Sequence, residues 1–488
     1  MAINNIVLPQ KISPAYNPLV FAFSGSNVTE EGYRYVIDIY PTGVATKLAS
    51  FRIVPQVDET GYIDVSRVLS SNLSGQFDAL NLSAITPTNT YLNYELRIGE
   101  EFNVTWPYDD FEFYSSGSSE FNAYVQLNQT GSSQAHTYVV GDQINITTAK
   151  EGINGLQTVV EVPSAYKIVI GIPFSDIGSG VAVGGTVAYA DNRKTLFEDI
   201  INNSGYTAYN GAFSMVDFLS YDYQDFAIAN SFSSTKRALT NMPNNFIVTP
   251  TQDLWLNFLY DTNSGLQQTI RFRNDSGDEF SKAIYTNPFL DPIRQVAVGP
   301  NNNFTLDTGT TVVVSGTFPL IKPDTEYYEV YSRRSTGESG KTYRINLDKR
   351  CKIEDYEIVF MDRLGSMVSY AFQLRAAERG TIVRTDYKQQ LGSVIGNAWT
   401  YNTYDRGTTN INTQVDKTLT LNTDWMNDDM SVYFEELLTS PKTFLKVDGI
   451  YVACNVVDSA FETIRQKNKN LIRKTITVKY SNQNAINI

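Results

Sequence analysis

Short apolar stretches that alternate with polar positions, and end in Gly, Pro, Asn or Asp, recur along almost the whole chain. Residues 33–40 (YRYVIDIY) are the sharpest example: Tyr33, Tyr35, Ile37 and Ile39 fall at period two and predict a strand with one inward face. Residues 19–24 (LVFAFS) predict a strand before it, bounded by Pro18 and Gly25, and the turn at Pro41-Thr-Gly43 predicts a return strand over 47–54. A helical turn is expected at 65–69, and residues 91–98 close this first set of strands. Further on, 138–146 predicts a strand broken at Gly141-Asp142, and Asn154-Gly155 predicts a hairpin turn into 157–162. The small residues of 178–185 read as a loop. Residues 196–201 and 215–219 have the spacing of short helices, the second with Ser214 as a possible N-cap. Strands are expected at 255–260 and 269–272, joined through Asn263-Ser-Gly265, then at 310–314, 327–332, 342–347, 356–361, 370–374 and 382–387.

One segment has clear helical period. Over 424–439, Met426, Met430, Tyr433, Phe434, Leu437 and Leu438 form one apolar face, with Asp424, Asp428 and Asp429 near the start, where the helix dipole favours negative charge. Ser440-Pro441 ends it, because the residue before a proline is pushed out of helical geometry. A hairpin turning at Asp448-Gly449 and a last strand over 475–480 follow.

These elements predict a mainly β chain of several antiparallel sandwich or barrel modules, with a few short helices and one amphipathic helix near the C-terminus. Five modules are expected: a fibronectin-like sandwich over 1–105, a small barrel-like module over 106–195, a mixed α+β module over 196–300, a sandwich over 301–415, and a helix plus hairpin over 416–488. A length of 488 residues is ample for several cores.

Composition then narrows the chemistry. The chain holds a single histidine, His136, in a polar segment with no visible partner constellation, so a Ser-His-Asp or His-ligated metal site would depend on that residue alone. It holds 31 Tyr and 26 Phe, residues that build cores and contact surfaces. No GxSxG elbow, P-loop or zinc spacing occurs, and the glycines between 178 and 185 lack the strand–GxGxxG–helix order of a nucleotide site. Asp261-Thr-Asn263 and Asp275 to Asp278 carry oxygen ligands but complete no calcium loop, and tight turns account for both. No catalytic residue, cofactor or metal is therefore expected. Two acidic groups merit weighing as carboxylate pairs for glycoside hydrolysis: Asp109-Asp110 with Glu112, and Asp428-Asp429 with Glu435-Glu436. A solvated acidic edge and the polar side of a helix explain them more simply.

Net charge is −13, which opposes attraction to DNA or an anionic membrane. It is unevenly spread: residues 1–130 carry six basic and fourteen acidic side chains, while 460–488 carry Arg465, Lys467, Lys469, Arg473, Lys474 and Lys479 against Glu462 alone. The basic run reads first as a solvated edge that discourages sheet-to-sheet pairing, next as a contact for the acidic N-terminal part of a neighbouring copy, and last as a contact for DNA in a channel. Arg465, Lys467, Lys469, Arg473, Lys474, Asp109, Asp110 and Glu112 are thus the candidate interface residues. Cys351 and Cys454 are too few for a disulfide framework; one bridge between them is the alternative, and two buried thiols are expected, since nothing signals secretion. No signal-peptide pattern opens the chain, and no run of 18 apolar residues occurs, so no membrane insertion is expected.

Four stretches, in order, carry a resemblance. They are PAYNP (14–18) with 33–40; RALTNMP (237–243) with WLNF (255–258); IVFMDRLG (358–365) with YAF (370–372); and Trp425 through Ser440-Pro441 with the closing KYSN (479–482). In this order they resemble virion tail and neck structural proteins of Bacteroidetes phages of the crAss-like podovirus type. The resemblance implies a non-enzymatic subunit at or near the tail, made in the host cytoplasm and carried in the virion. Its implied partners are further copies of itself in a cyclic ring, other tail or neck proteins, and genomic DNA passing through. The alternative is a head or tail fibre that binds a bacterial surface glycan.

Overall fold

The computed structural model describes residues 3–30, 32–75, 77, 84–85, 87–102, 111–116, 124–129, 138–147, 155–164, 167–170, 186–189, 194–227, 234–260, 268–284, 292–303, 312–316, 319–334, 337, 339–350, 356–458, 472–482 and 485–487. His136, Cys351, Asp261, Asn263 and the 178–185 stretch lie outside them. The architecture is mainly β, built of several antiparallel sheets with few helices. The chain divides into two compact units, each assembled from three separate stretches. One comprises 1–9, 20–65 and 94–206; the other comprises 10–19, 66–93 and 207–488.

In the first unit the Val20–Ser24 strand alternates as its sequence demands, with Phe21 and Phe23 inward. It pairs with Asn4–Val7 on one side and Thr60–Asp64 on the other. Arg34–Pro41 pairs with the Ala49–Ile53 return strand and with residues 94–101. It differs from its expected one-faced pattern, because Tyr35 through Ile39 are buried on both faces. A strand in the middle of a sheet, covered above and below, needs apolar or paired residues on each side. Asp38 meets this by facing Lys47 at 3.4 Å. Glu100 is buried too, accepting hydrogen bonds from the Tyr33 hydroxyl and the Asn27 amide, both at 2.7 Å. Gly61 is required for packing: a Cβ there would lie 2.5 Å from the Phe23 ring and 2.6 Å from that of Tyr35.

A six-stranded sheet follows in the same unit, in the order Thr186–Tyr189, Gln143–Thr147, Gly155–Ser164, Lys167–Ile170, Tyr124–Gln129, Phe111–Ser116. The break expected at Gly141-Asp142 is a turn before the strand begins: Gly141 has φ +97°, and Asp142 accepts from the Val139 amide at 2.9 Å. Residues 196–201, expected as a helix, belong instead to the long Lys194–Tyr209 strand. Leu196, Phe197, Ile200 and Ile201 fit one helix face, but the sheet offers backbone partners beside Tyr91–Phe102, and tertiary pairing overrides a short periodic signal.

In the second unit a large apolar cluster runs from Ala238 to Val478, with smaller ones around Tyr209 and around Trp255. The stretches expected as separate modules after residue 196 therefore contribute to a common core. A six-stranded sheet runs Asn245–Val248, Tyr343–Leu347, Tyr327–Arg334, Gln268–Asn274, Glu279–Ile284, Val312–Gly316. Trp255–Leu259 does not join it: that strand pairs with Ile293–Ala297, so the strands expected to be joined through 263–265 enter different sheets. The largest sheet runs Met367–Phe372, Tyr356–Met361, Thr443–Val447, Ile450–Val456, Thr475–Tyr480, Thr408–Asn422, Ala377–Lys388, with Ala485–Asn487 also against Thr408–Asn422. The hairpin at Asp448-Gly449 has both residues at positive φ, +50° and +78°, as a type I′ turn requires.

The amphipathic helix spans Asp428–Thr439, starting later than its apolar pattern suggested. Asn427 caps it by accepting from the Met430 amide at 2.9 Å, while Met426 is held outside in a bridge to Ile472. Met430, Tyr433, Phe434 and Leu437 are buried, with Phe434 edge-on to Tyr370 at 5.3 Å and Tyr433 to Phe246 at 5.8 Å. Each such side chain stabilises by roughly 1.5–3 kcal/mol through burial. The Met215–Leu219 helix forms where expected, with the Ser214 hydroxyl accepting from the Asp217 amide at 3.1 Å.

Candidate functional site

The residues singled out by sequence disperse. Asp109, Asp110, Arg465, Lys467 and Lys469 lie outside the described residues, and Glu112 is placed only by its backbone, opposite Asn128 in the Phe111–Ser116 strand. Arg473 is exposed, with its guanidinium 4.8 Å from the centre of the Trp425 ring. Lys474 points inward: it is buried, donates to the Ser431 carbonyl at 3.2 Å, and lies 3.5 Å from Glu435 and 5.9 Å from the centre of the Phe434 ring. Burial lowers its pKa, with Glu435 opposing that shift. The lysine ties the end of the chain to the amphipathic helix, a role that a count of charges does not reveal. Asp275 and Asp278 serve their turn: Asp278 pairs with Lys322 and accepts from the Asn274 amide, and Asp275 accepts from the Glu326 backbone. Among the described residues no group of three or more His, Cys, Asp or Glu is placed to hold a metal ion, and no helix is long and apolar enough to cross a membrane. Cys454 is a buried free thiol whose pKa burial raises.

Two polar clusters, both in the second unit, were invisible in the sequence because their members lie far apart along the chain. In the first, Lys446 Nζ donates to Asp253 Oδ2 at 2.5 Å, to Glu357 Oε2 at 3.1 Å and to the Thr251 carbonyl at 3.2 Å. The Asp253 amide donates to Glu357 Oε1 at 2.9 Å, Asn301 donates to Asp253 Oδ1 at 2.8 Å, and the Tyr451 hydroxyl donates to Asp253 Oδ2. Burial pushes the Glu357 carboxyl up to about 7 despite Lys446. Burial also disfavours charge on Lys446, but the two carboxylates outweigh it and its pKa rises.

In the second cluster, Asp362 and Glu436 are both buried beside a cleft of about 340 Å³, lined also by Tyr16, Arg363 and Pro441. Asp362 accepts from Thr240 Oγ1 at 2.6 Å and from the Leu364 and Ser366 amides at 3.0 and 2.8 Å. Glu436 accepts from Asn241 at 2.7 Å and from the Arg363 amide at 3.0 Å. Burial, then the Glu436 charge, holds the Asp362 carboxyl well above the usual carboxylate range. Donors already occupy the carboxylate oxygens of both residues. The pair therefore braces the 362–366 turn against the helix and against residues 240–241. The acidic cluster expected on the helix thus divides, with Glu436 inward and Asp428 and Asp429 in the exposed first turn.

The surface feature with most to offer a partner is a hairpin arm. Ala377–Lys388 and Thr408–Asn422 pair along their length, with a small Ser393–Ile395 and Ala398–Thr400 hairpin between them. All twelve residues of the first strand are exposed. Ile382 and Val383 are consecutive and therefore face opposite sides, yet they are 49% and 53% exposed. Trp399, Tyr401 and Tyr404 are exposed towards the tip, Tyr404 by 80%.

Comparison with known proteins adds little. No family model and no curated protein matches the sequence. Among solved structures, the phage phi92 endosialidase is similar over 98% of this chain and 68% of its own, at 11% identity and a TM-score of 0.17. A likeness so slight carries no argument about fold or activity.

Proposed function

We propose that the chain is a non-enzymatic structural subunit of a bacteriophage tail or neck. In this reading it assembles into a cyclic ring that contacts neighbouring tail proteins around the path of the DNA. The observation that carries it is the exposed arm: a β-hairpin with apolar residues open on both faces is marginal alone and gains its stability from being covered. The ordered resemblance of the four sequence stretches supports the virion setting. Heterologous packing, one surface meeting a different surface on the next copy, closes rings, and the uneven charge along the chain suits it. Light scattering with negative-stain imaging of the purified protein tests the reading: a closed ring is expected, weakening as salt rises. A protein that stays monomeric both alone and with other tail proteins would defeat it.

One observation favours a second reading. Trp399, Tyr401 and Tyr404 near the tip of the arm are aromatic faces of the kind that stack on sugars, which suits a fibre or adhesin. A trimer that binds bacterial surface glycans on an array would select it over the ring.

A further inference from the structure

We propose that the 377–422 arm is the assembly element itself, reaching a second copy of this chain, with its basic side chains set against that copy's acidic surface. This rests on the structural-subunit reading and names the contact that reading requires. Three observations converge on it.

The first is charge. The arm, residues 377–422, carries five basic and four acidic side chains, whereas the rest of the chain carries 34 basic and 48 acidic. Arg379, Arg384, Lys388 and Arg406 are exposed, and among the described residues none of them makes an ion pair. By contrast, Lys417 and Lys479, where the arm meets the body of the sheet, are paired with Glu378 at 2.6 Å and Asp416 at 3.0 Å. Basic groups left open on an otherwise acidic chain complement another copy of that chain, and steer the two together.

The second is the open edge. Ala377–Lys388 is the last strand of the largest sheet, so among the described residues its outer row of backbone amides and carbonyls is unpaired. At about 3.3 Å per residue the strand offers roughly 40 Å of edge for strand addition. The edge strand's charges limit indiscriminate pairing and favour a charge-matched partner, and the neighbouring strand bulges at Ile411, opposite Thr385 and Asp386.

The third is cover. Ile382, Val383, Tyr387 and Ile411 are all exposed on the arm. Having apolar residues on both faces calls for a partner that envelops the hairpin, as a cleft or sheet edge of a neighbouring subunit does.

The test uses the full chain in two variants, each first checked for an unchanged circular-dichroism spectrum and melting temperature. One reverses the arm's free charges: Arg379→Glu, Arg384→Glu, Lys388→Glu and Arg406→Glu. The other replaces residues 389–407 with Asn-Gly, keeping the paired strands and removing the tip. Sedimentation velocity then gives the assembly constant from about 0.05 to 0.5 M salt. Wild type is expected to assemble, and the charge-reversed variant to bind itself at least about tenfold more weakly at low salt, with the salt dependence flattened. An unchanged assembly constant in that variant overturns the arm proposal while leaving the ring reading intact. A wild type that stays monomeric both alone and with other tail proteins overturns both. Unaltered assembly in the charge-reversed variant, with glycan-array binding lost on removing the tip, overturns the second-copy contact in favour of a sugar-binding arm.

Discussion

Glu357 provides a sharp test of how the second unit is held together. The residue is 5% exposed, and its carboxyl faces Lys446 and the buried Asp253 beside Tyr451 and is pushed up by burial to about 7 against an ordinary 4.5. Because the folded state holds this proton more tightly than the unfolded chain does, the group's contribution to stability is fully present below about pH 4.5. It is lost as pH rises through about 7, and levels off above that. At about 1.4 kcal/mol per pH unit the loss is about 3 kcal/mol. Glu357→Gln keeps the shape and can still accept from the Asp253 amide, but it removes the titration. Urea unfolding followed by tryptophan fluorescence, with Trp255 packed near Tyr451, reads this out between about pH 4.5 and 8. The variant should gain about 3 kcal/mol relative to wild type across that interval. Asp362 titrates in both proteins and cancels in the difference. Parallel pH profiles for the two proteins would show that Lys446 already holds Glu357 ionised, and would refute the reasoning.

The remaining predictions concern packing and local order. Gly365→Ala places a methyl group 2.4 Å from the Asn210 carbonyl oxygen at φ +87°; a cost of about 1–3 kcal/mol from backbone strain, plus the overlap, should appear as a melting temperature lower by several degrees in scanning fluorimetry. Phe434→Ala, which removes a ring packed edge-on to Tyr370 and Phe372, should cost about 3–5 kcal/mol in urea unfolding; a loss under about 1 kcal/mol would mean that the helix is not seated as described. Ser214→Ala removes the cap of an exposed five-residue helix, so amide exchange should quicken over Met215–Leu219 with little change in global melting.

Much of the local structure was legible because its causes are local. The Asp448-Gly449 turn, the Ser214 cap, the alternation of Phe21 and Phe23, and the run Met430, Tyr433, Phe434, Leu437 each follow from the conformational preferences or periodicity of a few adjacent residues. The lone histidine and the scarcity of cysteine likewise bounded the chemistry before any fold was considered.

Other features depend on residues that meet only after folding. Residues 196–201 are a strand because a sheet partner is beside them, and 34–41 is buried on both faces because of what covers it. Asp253, Glu357 and Lys446 become a network across nearly 200 residues, and Lys446 joins it only because Thr443–Val447 pairs with Tyr356–Met361. Lys474 and Glu436, read from sequence as members of charged surface groups, turn inward because particular partners await them there. The 377–422 arm puts apolar residues on both of its faces, as the consecutive Ile382 and Val383 require; that they stay open among the described residues is decided by tertiary structure, since sequence specifies which residues share a face but not what that face will meet.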